Sequence, residues 1–144
     1  MTRPALLDVN VLIALFDADH VSHSQATRWM EENGKSGWAS CPITQNGFLR
    51  VMSQPGYPNH SPVDVLASRL RQATGNKAHE FWPDTVSALD DGLVDTLRIH
   101  GPRQLTDVYL LALASSRGGR LVTFDKSIPL EAVPGAQKRQ LVII

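Results

Sequence analysis

Residues 105–125 read LTDVYLLALASSRGGRLVTFD, and this stretch indicates the fold class more directly than any other part of the chain. Its segment 108–114 is apolar on every side, which predicts a helix buried inside the protein. The two glycines at 118–119 end that helix, and the apolar residues after them predict a buried strand over 121–123. A buried helix followed closely by a buried strand is typical of α/β proteins.

Outward from this stretch, short apolar runs alternate with segments of helical periodicity. We predict strands at 5–8, 38–41, 79–82, 121–123 and 141–143. We predict helices that begin at Asn10 (as the capping residue), at Ser22 (in a capping box with Gln25), within 42–44 and at 61–62, and further helices over 86–99 and 102–117. This order predicts an α/β fold, a three-layer α/β/α sandwich with a mainly parallel sheet of about five strands.

Length and composition are those of one globular domain over residues 1–144. The chain is 42% apolar and 19% charged, with a formal net charge of zero. Ten of the fourteen basic residues are Arg, which binds phosphate in a bidentate manner, so local basic patches remain compatible with an RNA partner.

The cellular location is predicted from what the sequence lacks. The longest strongly apolar runs, 11–16 and 108–114, are far shorter than the roughly 20 residues of a membrane span. The single cysteine, Cys41, has no partner for an internal disulfide, and the N-terminal residues do not resemble a signal peptide. We therefore expect a cytoplasmic protein that does not insert into membranes.

Three aspartates stand where a parallel sheet places its functional site. Asp8 ends the first strand, Asp125 follows the fourth, and Asp107 opens the apolar helix. Each has at least one strongly apolar neighbour in the chain, which anchors it close to the core, where an unpartnered aspartate is rare. Converging carboxylates repel one another, and Mg²⁺ or Mn²⁺ would relieve that repulsion. Because such an ion acidifies a bound water and stabilises charge on a phosphate, the cluster favours phosphodiester hydrolysis.

Each aspartate also has an interpretation that needs no metal. Asp8 could cap the first helix, Asp107 could complement a helix dipole, and Asp125 could open a turn. The residues alone leave both interpretations open.

Four segments resemble the PIN-domain signature, in order and over nearly the whole chain. They are LDVNVL at 7–12, CPITQNGFLRV at 41–51, Thr106-Asp107 with its Leu/Ala run, and TFD at 123–125. The set resembles the VapC-type toxins, especially the group abundant in actinobacteria, and the phrases at 20–23, 79–84 and 102–107 also suit that group.

This resemblance implies a magnesium-dependent endoribonuclease, the toxin of a type II toxin–antitoxin pair. Such toxins cut a structured RNA, such as tRNA or rRNA, and thereby stop translation. They are silenced by a cognate VapB-like antitoxin, and they usually form homodimers.

The resemblance also implies roles for particular residues. Asp8, Asp107 and Asp125 would hold one or two Mg²⁺ ions, with Mn²⁺ as the other candidate ion. Further residues would support them, either by orienting carboxylates (Asn10, Thr106 and Thr123) or by contacting a phosphate or an acid of the site (Arg50).

The second motif departs from the family pattern at Gln45, where PIN domains usually carry Glu. Gln keeps a carbonyl oxygen but has no charge, so we expect Gln45 to complete the catalytic ring as a neutral ligand. The alternative is a catalytically weakened PIN domain that acts as an RNA- or antitoxin-binding module.

Two other families also place an Asp after the first strand. Haloacid-dehalogenase-like phosphatases need D-x-D, whereas this chain has Asp8-Val-Asn10. Receiver domains need paired early acids and a late Lys-Pro, whereas Lys126 is followed by Ser127. Neither motif matches.

Overall fold

The computed structural model describes residues 3–144 and contains a five-stranded sheet. Its strands are Ala5–Leu7 (β1), Trp38–Ser40 (β2), His79–Phe81 (β3), Arg120–Thr123 (β4) and Leu141–Ile143 (β5). The strand order is β3-β2-β1-β4-β5, and each neighbouring pair is parallel. The predicted five-stranded parallel sheet is therefore confirmed.

Helices cover both faces of this sheet. They are Val9–Phe16 (α1), His23–Asn33 (α2), Pro42–Met52 (α3), Val63–Thr74 (α4) and Leu105–Ser116 (α5). Within residues 3–144, none of the helices combines the length and the apolar character that crossing a membrane requires.

The strand residues alternate between two hydrophobic cores. In β1, Leu6 packs with α5, whereas Ala5 and Leu7 pack with the apolar faces of α1 to α4, and all three are fully buried. The α5 core also includes Ile128 and Val133 from the chain after β4. Helices on one face, a sheet and a helix on the other make the predicted three-layer sandwich, which is confirmed.

The predicted helix over 86–99 is wrong. Only the 3₁₀ turn Thr96–Arg98 forms there, because short polar side chains bond to the backbone in place of helical partners. Asp90 Oδ1 accepts from the Gly92 N–H at 3.0 Å, and Ser87 Oγ accepts from the Leu89 N–H at 3.1 Å. Leu89 is 88% exposed, so little packing is available to stabilise a helix.

Two predicted helix caps are also wrong. Asn10 lies inside α1, and Asp8 caps this helix instead, because its carboxylate accepts from the Val9 N–H at 2.7 Å. Ser22 precedes α2 without a capping hydrogen bond from its side chain. Its N–H donates to His20 Nδ1 at 3.0 Å, so the local turn takes the place of the predicted capping box.

Candidate active site

Asp8 is held firmly at the carboxyl end of β1. Its N–H donates to the Val122 carbonyl at 3.0 Å, and its Oδ1 accepts from the Val9 N–H at 2.7 Å. Its Oδ2 accepts from Thr123 Oγ1 at 2.8 Å. The residue is only 5% exposed, and burial raises its pKa. The two hydrogen bonds to the carboxylate oppose that rise, while the charge of Asp125 adds to it.

Asp125 follows β4 in a turn that its own carboxylate stabilises. Its Oδ1 accepts from the Ser127 N–H at 2.8 Å and from Ser127 Oγ at 2.6 Å, and these bonds lower its pKa. The Asp125 N–H donates to Thr123 Oγ1 at 3.0 Å. Thr123 therefore links Asp8 and Asp125 through one hydroxyl, and its role in orienting catalytic carboxylates stays a prediction.

Helix α5 places Asp107 close to Asp8 and Asp125. It lies in the first turn of this helix and is half-buried. Burial raises the pKa of Asp107 to about 7, and the neighbouring charges of Asp8 and Asp125 contribute to the rise. Each of the three carboxylates thus lies within electrostatic range of the others. The structure brings together the three aspartates that the sequence singled out.

The donor set fits a divalent cation that keeps open coordination positions. Within residues 3–144, no group of three or more His, Cys, Asp or Glu side chains converges tightly enough to hold a metal ion alone. Mg²⁺, however, is usually held by one or two carboxylates together with water and phosphate oxygens. Burial is the main cause of the raised pKa of Asp107, and the repulsion from Asp8 and Asp125 that adds to it is of the kind that such an ion relieves.

A cleft of about 600 Å³ opens beside the carboxylates, and both Asp8 and Asp107 line it. Asn10 and Thr106 also line the cleft, but both are exposed, and neither forms a side-chain hydrogen bond within the described residues. We had predicted that Asn10 and Thr106 orient the carboxylates. The structure instead places both at the surface of the cleft, with no side-chain hydrogen bond to a carboxylate among residues 3–144.

Arg50 lies in the same cleft, on α3, with an exposed side chain. Among residues 3–144, the only ion pair is that between Arg98 and Asp95, so Arg50 is not paired with an acid of the site. Of the two roles predicted for Arg50, contact with a substrate phosphate is the one that this position leaves available.

The structure does not bring Gln45 into the carboxylate group. Its Nε2 donates to Ser40 Oγ at 2.9 Å, and its side chain lines a separate groove between α3 and α4. The physical reason is helical geometry, because each residue of a helix is rotated by about 100° from the one before it. Gln45 therefore faces α4, and the prediction that it completes the metal ring is not supported.

The helix face that does reach the cleft carries Asn46, Gly47, Arg50 and Val51. Asn46 is exposed, and we had not predicted it as a site residue. Its spacing of four residues from Arg50 was the available signal, since residues i and i+4 share one side of a helix. A neutral amide and a guanidinium thus stand opposite the acidic edge of the cleft.

Gly47 allows α3 to approach the start of α1, next to Asp8. A Cβ at this position would lie 2.7 Å from Val9 Cγ2, which is too close for two carbon atoms. In a helix, alanine is favoured over glycine by about 1 kcal/mol, but overpacking costs about 1–3 kcal/mol. We expect Gly47→Ala to lower the thermal midpoint, and to raise it when Val9→Ala has first made room. Stabilisation by Gly47→Ala in the otherwise wild-type chain would contradict the close contact.

Comparison with known proteins identifies the family to which the chain belongs. The PIN domain family model matches residues 5–134. The chain is 55% identical to Ribonuclease VapC44 of Mycobacterium tuberculosis over 140 residues, which cover 97% of this chain and 99% of that protein. It is 41% identical to Ribonuclease VapC39 of the same organism over 132 residues, 91% of this chain and 95% of that protein.

Solved structures agree on the fold. VapC20 of Mycobacterium tuberculosis, a toxin that cleaves the sarcin–ricin loop, matches with a TM-score of 0.63 at 11% identity, over 92% of this chain and 98% of that one. VapBC2 from Rickettsia felis, bound to a DNA fragment from its promoter, matches with a TM-score of 0.58 at 14% identity, over 97% and 96%. With aspartates at the ends of β1 and β4 and at the start of α5, the chain belongs to the PIN-domain family, within its VapC group.

Proposed function

We propose that the chain is a divalent-metal-dependent endoribonuclease that acts as the toxin of a toxin–antitoxin pair. The observation that carries this proposal is the placement of the aspartates beside an open cleft: Asp8 and Asp107 line it, and the Thr123 hydroxyl links Asp8 to Asp125. The relatives named ribonucleases support RNA as the substrate, and the RNA-cleaving toxin VapC20 supports a structured RNA, such as tRNA or rRNA.

Asp8, Asp107 and Asp125 would hold Mg²⁺ or Mn²⁺. When bound, this ion supplies a more acidic water and neutralises charge on the phosphate. The remaining work falls to side chains of the protein. Thr123 and the Val9 N–H direct the two oxygens of Asp8, so that this carboxylate does not turn away from the cleft. Arg50 attracts and orients the phosphodiester from the opposite side of the cleft.

The proposed partners are a VapB-like antitoxin and a second copy of the chain. The VapBC2 assembly from Rickettsia felis supports the antitoxin, because its fold matches over nearly the whole chain. We propose a cytoplasmic location, where both the RNA and the antitoxin would be met.

The alternative of a catalytically weakened binding module depended on a missing charge at position 45 of the metal ring. Because the Gln45 amide is bonded to Ser40, outside the carboxylate group, the structure gives that alternative no support.

Gln45→Glu tests this point. The new carboxylate would face Ser40 and α4, so we expect the magnesium concentration for half-maximal cleavage to stay within about twofold of wild type. Gln45→Leu should behave likewise in the same titration. A clear fall in the magnesium requirement of Gln45→Glu would instead place this side chain among the ligands.

Expression in a bacterial host tests the function as a whole. We expect strong expression of the intact chain to stop growth, and co-expression of its cognate antitoxin to restore it. Purified chain should degrade RNA with Mg²⁺ or Mn²⁺ and be inactive in EDTA. Unimpeded growth with soluble chain would count against the toxin, and cleavage in EDTA would count against the metal.

A further inference from the structure

We propose that the groove between α3 and α4 is a second RNA-backbone site, in which Arg71 binds another phosphate of the strand that is cleaved at the carboxylates. This inference rests on the proposed ribonuclease function and extends it, because it describes how the RNA strand continues beyond the cleft. The occupant is a single strand of RNA, recognised through its phosphates and its bases.

The groove borders the cleft, because Asn46 lines both. It has a volume of about 240 Å³ and is lined by Gln45, Asn46, Leu49, Ala67, Leu70, Arg71 and Thr74. Asn46 also lines the cleft that contains Asp8, Asp107 and Arg50, so the two depressions meet at this exposed side chain. A strand whose cleaved phosphate lies at the carboxylates can therefore pass over Asn46 into the groove.

Charge favours this route. Arg71 is exposed, the groove has no acidic residue in its lining, and Arg71 has no carboxylate partner within residues 3–144. Several other arginines are already engaged by the protein. The guanidinium of Arg69 donates to the Phe16 carbonyl at 2.8 Å, and that of Arg117 lies over the Trp82 ring. Arg71 therefore retains its full capacity to bind an anion.

The floor of the groove suits a nucleotide. Leu49 and Ala67 provide apolar surface against which a base or a ribose can pack, with the buried Leu70 beneath them, while Gln45 and Thr74 provide polar atoms at its side. Single-stranded nucleic acids are commonly bound in this way, with cations along the backbone and apolar or aromatic surface under the bases. The carboxylates of the cleft repel the RNA phosphates in the absence of metal, and Arg71 in the groove provides an attraction that offsets this repulsion.

The test compares Arg71→Gln with the matched control Arg28→Gln, which removes another exposed arginine, on α2, that lines neither depression. Binding is measured by fluorescence anisotropy with a labelled mixed-sequence single-stranded RNA of about 16 nucleotides. Each variant also carries Asp107→Asn to prevent cleavage. We expect Arg71→Gln to weaken binding about fivefold at 0.1 M salt and to reduce the slope of log affinity against log salt by about 0.7, as loss of one phosphate contact predicts. Arg28→Gln should leave both unchanged.

Cleavage by the chain with Asp107 intact gives the second measurement. We expect Arg71→Gln to raise KM about fivefold and to leave kcat unchanged, because the groove binds RNA away from the reacting phosphate. Equal affinities for Arg71→Gln and its parent, or an equal loss with Arg28→Gln, would overturn the second site. Failure of the ribonuclease function itself looks different, since no variant would then cleave RNA under any metal condition.

Discussion

Asp8→Asn and Asp107→Asn are each expected to reduce RNA cleavage by more than about 100-fold. Replacement of residues that merely support a metal ligand already costs about 10–100-fold, and each of these changes removes one of the carboxylates that line the cleft. Asn keeps the size and one oxygen of Asp but has no charge. Because both oxygens of Asp8 accept hydrogen bonds, Asp8→Asn also loses one of these bonds, and Asp107→Asn is the variant whose loss reports the attraction of the carboxylate for the cation. The measurement is the initial rate of cleavage as a function of magnesium concentration.

Asp90→Asn is the matched control for both variants. Asp90 is exposed, and its Oδ1 only accepts from the Gly92 N–H, which an Asn oxygen can also do. We expect wild-type cleavage from this variant. A wild-type rate from Asp8→Asn or Asp107→Asn would show that the carboxylate cluster is not the site of the reaction.

Magnesium is expected to stabilise the folded chain. The carboxylates of Asp8, Asp107 and Asp125 repel one another, and a cation bound only by the folded state adds about 2.7 kcal/mol at a hundred times its Kd. For a chain of this size, that corresponds to a rise in thermal midpoint of roughly 8 °C. Asp8→Asn should show a smaller rise, measured by circular dichroism with magnesium and with EDTA. Equal rises in the two proteins would show that magnesium does not bind at the carboxylate cluster.

The raised pKa of Asp107 predicts how the stability of the folded chain depends on pH in the presence of EDTA. Its pKa is raised from 3.8 to about 7 in the folded chain, so between these values the folded state binds more protons than the unfolded state. Stability should therefore fall as pH rises from about 4 to about 7. Because Asp107 is only half-buried, we expect about 2 kcal/mol, roughly half of what the full shift would give.

Asp107→Asn should remove that loss of stability. The variant should be more stable than wild type at pH 8 in EDTA, and the two should converge near pH 4, as followed by urea unfolding. Two results together would contradict the raised pKa of Asp107. They are a wild-type free energy of unfolding that rises from about pH 4 to about pH 7, and no gain in stability from Asp107→Asn at pH 8.

The sequence by itself determined the fold class and the three aspartates. Strands such as 121–123 and the all-round apolar segment 108–114 are local patterns, and apolar burial is the dominant stabilising term in folding, so such patterns dictate which segments lie inside. The positions of Asp8 and Asp125 followed from topology alone, because the carboxyl ends of parallel strands share one edge of the sheet.

The tertiary structure alone decided which polar side chains accompany those aspartates. Gln45 and Asn46 are neighbours in sequence, yet the rotation of α3 turns Gln45 towards Ser40 and Asn46 into the cleft. The segment 86–99 likewise has helical periodicity, but its backbone bonds to its own Asp and Ser side chains instead. In both cases the outcome depends on packing and hydrogen bonds made in three dimensions, which differ between residues that the sequence presents as equivalent.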